Sequence, residues 1–84
     1  MKIHVSWEDI KKGQPNSLTA CPVALALRRK LKNDNVWVNY NHINVMRRSY
    51  DTYTIDSFGR AFIKAFDRLE NVFPMTITLK KKGH

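Results

Sequence analysis

Cys21 stands directly before Pro22 and the apolar run Val23-Ala24-Leu25-Ala26-Leu27. A thiol at a helix start is where nucleophilic chemistry would begin in this chain, because the backbone N–H groups and dipole of a helix N-terminus favour the thiolate. His4 or His42 would then serve as base, and Asp34, Asp51 or Asp56 as the orienting carboxylate. No spacing in the sequence brings these groups together, and no nucleophile signature surrounds the cysteine. Its apolar neighbours instead suit a small buried hydrophobe that anchors the helix. The carboxylates are scattered, with no close pair of the kind glycoside hydrolysis uses. Gly13, Gly59 and Gly83 lie too far apart for a phosphate-cradling loop. His4, His42 and His84 lack the spacing of a zinc site. The chain therefore reads as non-enzymatic, with no metal and no cofactor.

Binding chemistry is better supplied. Fifteen Lys and Arg stand against seven Asp and Glu, a formal charge of +8 with a pI near 10.0, which attracts polyanions at long range. Arg28, Arg29 and Lys32 share one side of a predicted helix, and Arg60, Lys64 and Arg68 follow at i, i+4 and i+8 on a second. Ridges of one sign suit phosphate oxygens, although helix exteriors are commonly charged for solubility alone. A second candidate surface comes from the outward positions of the predicted strands: Lys2, His4, Trp37, Asn39, Tyr50, Thr52, Thr54, Thr76, Thr78 and Lys80. Trp37 and Tyr50 among basic and hydroxyl neighbours are the materials of a base-stacking platform. They are also the materials of a protein interface or a homodimer contact, or of burial under a loop.

The elements that must position these groups follow from periodicity. Lys2–Ser6 alternates as a half-buried strand, and Ser6 caps a short turn over Trp7–Lys12 closed by Gly13. Pro22 opens a helix to about Lys32 that ends at Asn33-Asp34-Asn35. Val36–Tyr40 is a strand, after which the alternation changes phase, so that 41–49 forms either a bulge or a separate hairpin. Tyr50–Ile55 is another strand. Asp56 or Ser57 caps a helix to about Leu69, and Met75–Leu79 is the last strand. The predicted inward set of the sheet is Ile3, Val5, Val36, Val38, Tyr40, Tyr53, Ile55, Met75, Ile77 and Leu79. For the second helix it is Phe58, Ala61, Phe62, Ala65, Phe66 and Leu69. The pattern predicts an α+β fold: two helices packed on one face of a mostly antiparallel four- or five-stranded sheet, with ferredoxin-like β-α-β-β-α-β as the first arrangement to test.

Length and composition set the frame. Eighty-four residues predict a single domain, 1–84, with one thin core and residues 79–84 as a frayed basic tail. No run reaches the roughly 18 apolar residues of a membrane span. The N-terminus turns acidic where a secretion signal needs its apolar stretch, and the lone cysteine fits a reducing compartment. A cytoplasmic protein is expected.

Four segments carry a resemblance: Asp9-Ile10-Lys11-Lys12-Gly13, Cys21-Pro22-Val23-Ala24-Leu25-Ala26-Leu27, Phe62-Ile63-Lys64-Ala65-Phe66-Asp67 and Val72-Phe73-Pro74-Met75. In these the chain resembles a set of small uncharacterised bacteriophage and actinobacterial proteins. The resemblance implies a phage or prophage accessory protein in the host cytoplasm, and it brings no activity or functional residues with it. The sequence thus points to a small basic binding protein for nucleic acid or a phosphate-bearing ligand such as a nucleotide. The alternative is a protein-interaction module that binds and inhibits a host protein.

Overall fold

The computed structural model describes residues 1–82; Gly83 and His84 lie outside the described residues. Lys2–Val5 forms β1, Trp7–Lys12 α1, Pro22–Leu31 α2, Val36–Val38 β2, His42–Met46 β3, Tyr50–Ile55 β4, Ser57–Asp67 α3 and Met75–Lys81 β5. The five strands run in the order β1-β5-β4-β3-β2, antiparallel at every pairing. The fold is α+β, as its alternating strands and two amphipathic helices predict. Its strand order is not ferredoxin-like: a split βαβ unit would place β1 inside the sheet, whereas here β1 is an edge strand. The sheet curls, and α2 packs against both edge strands, β1 and β2.

Alternation decides which side chains enter the core. Ile3, Val5, Ile43, Val45, Tyr53, Ile55, Ile77 and Leu79 point inward at odd positions, Val36 and Val38 at even ones. The change of phase is a tight hairpin: Val38 faces Ile43, Asn39 N–H donates to the His42 carbonyl, and Tyr40-Asn41 form the tip. A two-residue tip pairs even positions with odd ones, so the register reverses parity without a bulge. Tyr40 is thereby carried to the exposed tip instead of the core, and Met75 is only half-buried. The basic tail also differs from expectation, since β5 continues through Lys81, opposite Tyr53, and is not frayed from residue 79.

Helix ends are set by particular side chains. Ser6 and Asp9 form a reciprocal capping box at α1: Asp9 N–H donates to Ser6 Oγ at 3.2 Å and Ser6 N–H to Asp9 Oδ2 at 2.9 Å. Asp56 caps α3 through Gly59 N–H at 2.7 Å and also accepts from Thr78 N–H on β5 at 3.1 Å. Gly59 sits against the sheet, where a Cβ would lie 2.6 Å from methyl groups of Ile55 and Ile77. This contact turns α3 so that Gly59, Phe62 and Ile63 are buried. The predicted stripe is displaced accordingly: Phe58 is 73% exposed and Leu69 80%. Leu69 takes a left-handed backbone, φ 63°, in a Schellman turn closed by Glu70 N–H to Ala65 O and Leu69 N–H to Phe66 O.

Both sheet edges are partly closed. The Lys2 and His4 carbonyls, which face away from β5, accept from Lys30 Nζ and Arg29 Nη2 of α2. At the other edge, Val38 N–H donates to the Leu18 carbonyl of the loop between α1 and α2 at 2.7 Å.

Candidate functional site

The two helix ridges fare differently from what their sequence spacing suggests, because half of their cations have structural partners. Arg29 holds the buried Asp9 carboxylate in a two-pronged pair, Nη1 to Oδ1 at 2.6 Å and Nη2 to Oδ2 at 2.9 Å. Burial pushes the Asp9 carboxyl up, yet the bonds from Arg29 and Ser6 outweigh it and hold the group below its usual pKa. Arg28 bonds Asp34 and the Thr19 carbonyl. Arg60 donates to the Ile55 carbonyl at 3.1 Å. Lys32, Lys64 and Arg68 remain exposed. Lys64 and Arg68 share their end of α3 with Asp67 and Glu70, so the residual positive ridge is short and diluted.

The outer face of the sheet keeps its charge. Register rows across it include Trp37–Asn44–Thr52–Lys82, His42–Thr54–Lys80 and Thr78–Lys2, flanked by Met46–Tyr50 and His4–Thr76. Of the chain's seven Asp and Glu residues, Asp56 alone reaches these rows: it stands opposite Thr78, and its carboxylate is taken up by the N–H groups of Thr78 and Gly59. The acid nearest in sequence, Asp51, points the other way and is engaged by Arg47 at 3.2 Å and Lys81 at 3.3 Å. Burial pushes the Asp51 carboxyl up, and its bonds to Lys81 and Arg47 more than reverse this. Alternation thus spends Lys81 on an ion pair and leaves its neighbours Lys80 and Lys82 on the open side, with no acid partner among the described residues.

A polar depression of about 440 Å³ opens on this face, lined by Asn41, His42, Asn44, Tyr50, Thr52, Thr54 and Lys82. Thr52 Oγ1 donates to Asn44 Oδ1 at 3.0 Å, and the Asn39 amide lies 3.3 Å from His42 Nε2. Tyr50 stands at the rim, 57% exposed, and Trp37 is half-buried on the neighbouring row. The structure therefore brings both sequence-selected aromatics to one face and adds Asn41, His42, Asn44 and Lys82 to them. Periodicity carried the signal for these additions. The two-residue hairpin tip puts His42 and Asn44 in phase with Trp37, and the Thr76, Thr78, Lys80 alternation extends to Lys82.

Cys21 is placed where its sequence neighbours imply. It is buried, its Sγ accepts from Ala24 N–H at 3.5 Å as the N-cap of α2, and burial pushes its pKa up. A raised thiol pKa is opposite to the requirement of a nucleophile. Among the described residues no three His, Cys, Asp or Glu side chains cluster as a metal site would require, and no helix is long and apolar enough to cross a membrane. Away from the sheet face, Trp7 and Phe73 meet edge to face, with ring centroids 5.8 Å apart, and both are largely exposed. No protein-family model, curated protein or solved structure matches the chain.

Proposed function

We propose that this chain is a small, basic, non-enzymatic binding protein whose ligand is nucleic acid, held on the outer face of the sheet. In the setting its sequence resemblance implies, it is a phage accessory protein acting in the host cytoplasm. One observation carries the reading: lysines that pair with no acid among the described residues, the exposed Tyr50, the half-buried Trp37 and a hydrogen-bonding depression share one uncovered face, whose nearest carboxylate, Asp56, is taken up by backbone N–H groups. A polyanion gains there from counter-ion release without repulsion. The helix ridges support it less, since Arg28, Arg29 and Arg60 are bound within the fold. Fluorescence anisotropy with labelled single- and double-stranded DNA and RNA, titrated in salt, tests the proposal. Binding that weakens linearly in log salt is expected, and no binding at low ionic strength overturns it.

The second reading, an interaction module that inhibits a host protein, is favoured by Trp7 and Phe73. They form an exposed aromatic pair outside the outer-face rows, and such residues concentrate binding energy at interfaces. A host partner that survives nuclease treatment and is lost when Trp7 and Phe73 are both changed to Ser would support it. Equal capture by the variant would count against it.

A further inference from the structure

The sheet face has a direction across it, and we infer from that direction that its occupant is a single strand, with its phosphates along β5 and its bases turned towards β3 and β2. This rests on the nucleic-acid reading above. The lysines of these rows stand on one side: Lys80 on β5, Lys82 just past its end, and Lys2 beside them on β1. The groups able to stack or to read a base stand on the other side. They are Tyr50 at the start of β4, Asn44 and His42 on β3, and Trp37 on β2. Strand spacing of about 4.8 Å separates Lys82 from Trp37 by three gaps, or about 14 Å. That is a span on which a sheet platform displays two or three bases.

A duplex cannot use this layout, because its bases are stacked inside and unavailable to Tyr50. A single strand can lay one base on the Tyr50 ring and turn its edge into the depression. There the Asn44 amide, the Thr52 hydroxyl and the His42 ring offer both donors and acceptors. Thr52 and Asn44 already bond each other, so their side chains are oriented before a base arrives. The lysines contact phosphate and carry no sequence information, whereas the β3 and β4 side chains supply base preference.

The test is anisotropy with a short fluorescein-labelled mixed-sequence DNA strand, its duplex, and an abasic strand of equal length. Tyr50→Ala is expected to weaken single-strand binding at least about fivefold, the effect of one stacked base, and to leave the abasic strand unchanged. Changing Lys80 and Lys82 together to Gln should weaken both strands alike and reduce the salt slope by about 1.4, or about 0.7 for each phosphate. Changing Lys64 and Arg68 to Gln should leave both constants within about twofold. Circular dichroism of each variant confirms that it is folded. Binding of the duplex at least as tight as the single strand, equal losses for abasic and complete strands on Tyr50→Ala, or a dominant effect of the Lys64 and Arg68 changes would overturn the orientation while leaving nucleic-acid binding in place. Absence of binding to every probe would instead remove the reading beneath it.

Discussion

Replacing Arg29 with Met removes the partner of a buried carboxylate and keeps the unbranched stem of the side chain. The Asp9 side chain is 4% exposed, and the change leaves it the Ser6 N–H as its remaining donor. Breaking a fully buried pair costs about 3–5 kcal/mol. Arg29 is itself 55% exposed, so solvent screening reduces the expected loss to about 2 kcal/mol at neutral pH. For a domain of this size that corresponds to a fall in Tm of about 8–16 °C. The pH dependence is more diagnostic than the loss. In the wild type the folded Asp9 pKa lies below the ordinary 3.8. Its contribution is therefore complete above that value and fades as pH falls through the folded pKa. Without Arg29 the burial that already opposes ionisation dominates, the folded pKa rises, and the variant is penalised for keeping Asp9 charged. The difference between the two proteins should then shrink from about 2 kcal/mol at neutral pH as the pH falls through the wild-type folded pKa, which lies below 3.8. Asp51, also held below its ordinary value, acts in both proteins and cancels, while Glu8 is held low chiefly by Lys12 and feels Arg29 only weakly. Urea unfolding followed by tryptophan fluorescence across this range measures it. A difference under about 0.5 kcal/mol, or one that ignores pH, would refute the assignment of Arg29 to structure.

Leu69→Gly relieves a left-handed residue and removes an exposed apolar side chain, so it should stabilise the protein by about 1 kcal/mol, seen as a rise in Tm. Asp56→Ala breaks the α3 cap and the bond to Thr78 together, and denaturant titration should show a loss of about 2 kcal/mol. Gly59→Ala drives a methyl into Ile55 and Ile77 and should cost about 1–3 kcal/mol by the same measurement. Mass spectrometry should find Cys21 unmodified by iodoacetamide in native buffer and modified in urea, because burial both shields the thiol and raises its pKa.

Much of the fold is legible in local pattern. Strand alternation names most of the core, and Ser6, Pro22 and Asp56 announce their helix starts through elementary capping chemistry. Strand order is not written locally: nothing in Lys2–Val5 says that its partner is Met75–Lys81 and not a central strand, since that choice depends on how α2 spans the curled sheet. The burial of α3 eluded periodicity for a related reason. A wheel favours Phe58 and Leu69 by hydrophobicity, but close approach at Gly59 rotates the helix away from both. For the candidate site, counting charges by helix face overstates the free cations, because Asp34 and Asp9 engage Arg28 and Arg29 and the Ile55 carbonyl engages Arg60. Asp9 lies twenty residues from Arg29 in sequence, beyond the reach of helix spacing. Lysines on the sheet escape such capture, since alternation sends Lys81 to Asp51 and its neighbours to the open face.

The closed edge at β1 bears on how this chain behaves in a crowd of its own copies. An approaching strand would find the Lys2 and His4 carbonyls already bonded and two cationic side chains where its own backbone must lie. Growth into a continuous ladder through this edge is opposed by missing acceptors and by charge together. Acylation of Lys30 would weaken this guard at one stroke, leaving a free carbonyl, a less charged edge and a template for fibrillar assembly.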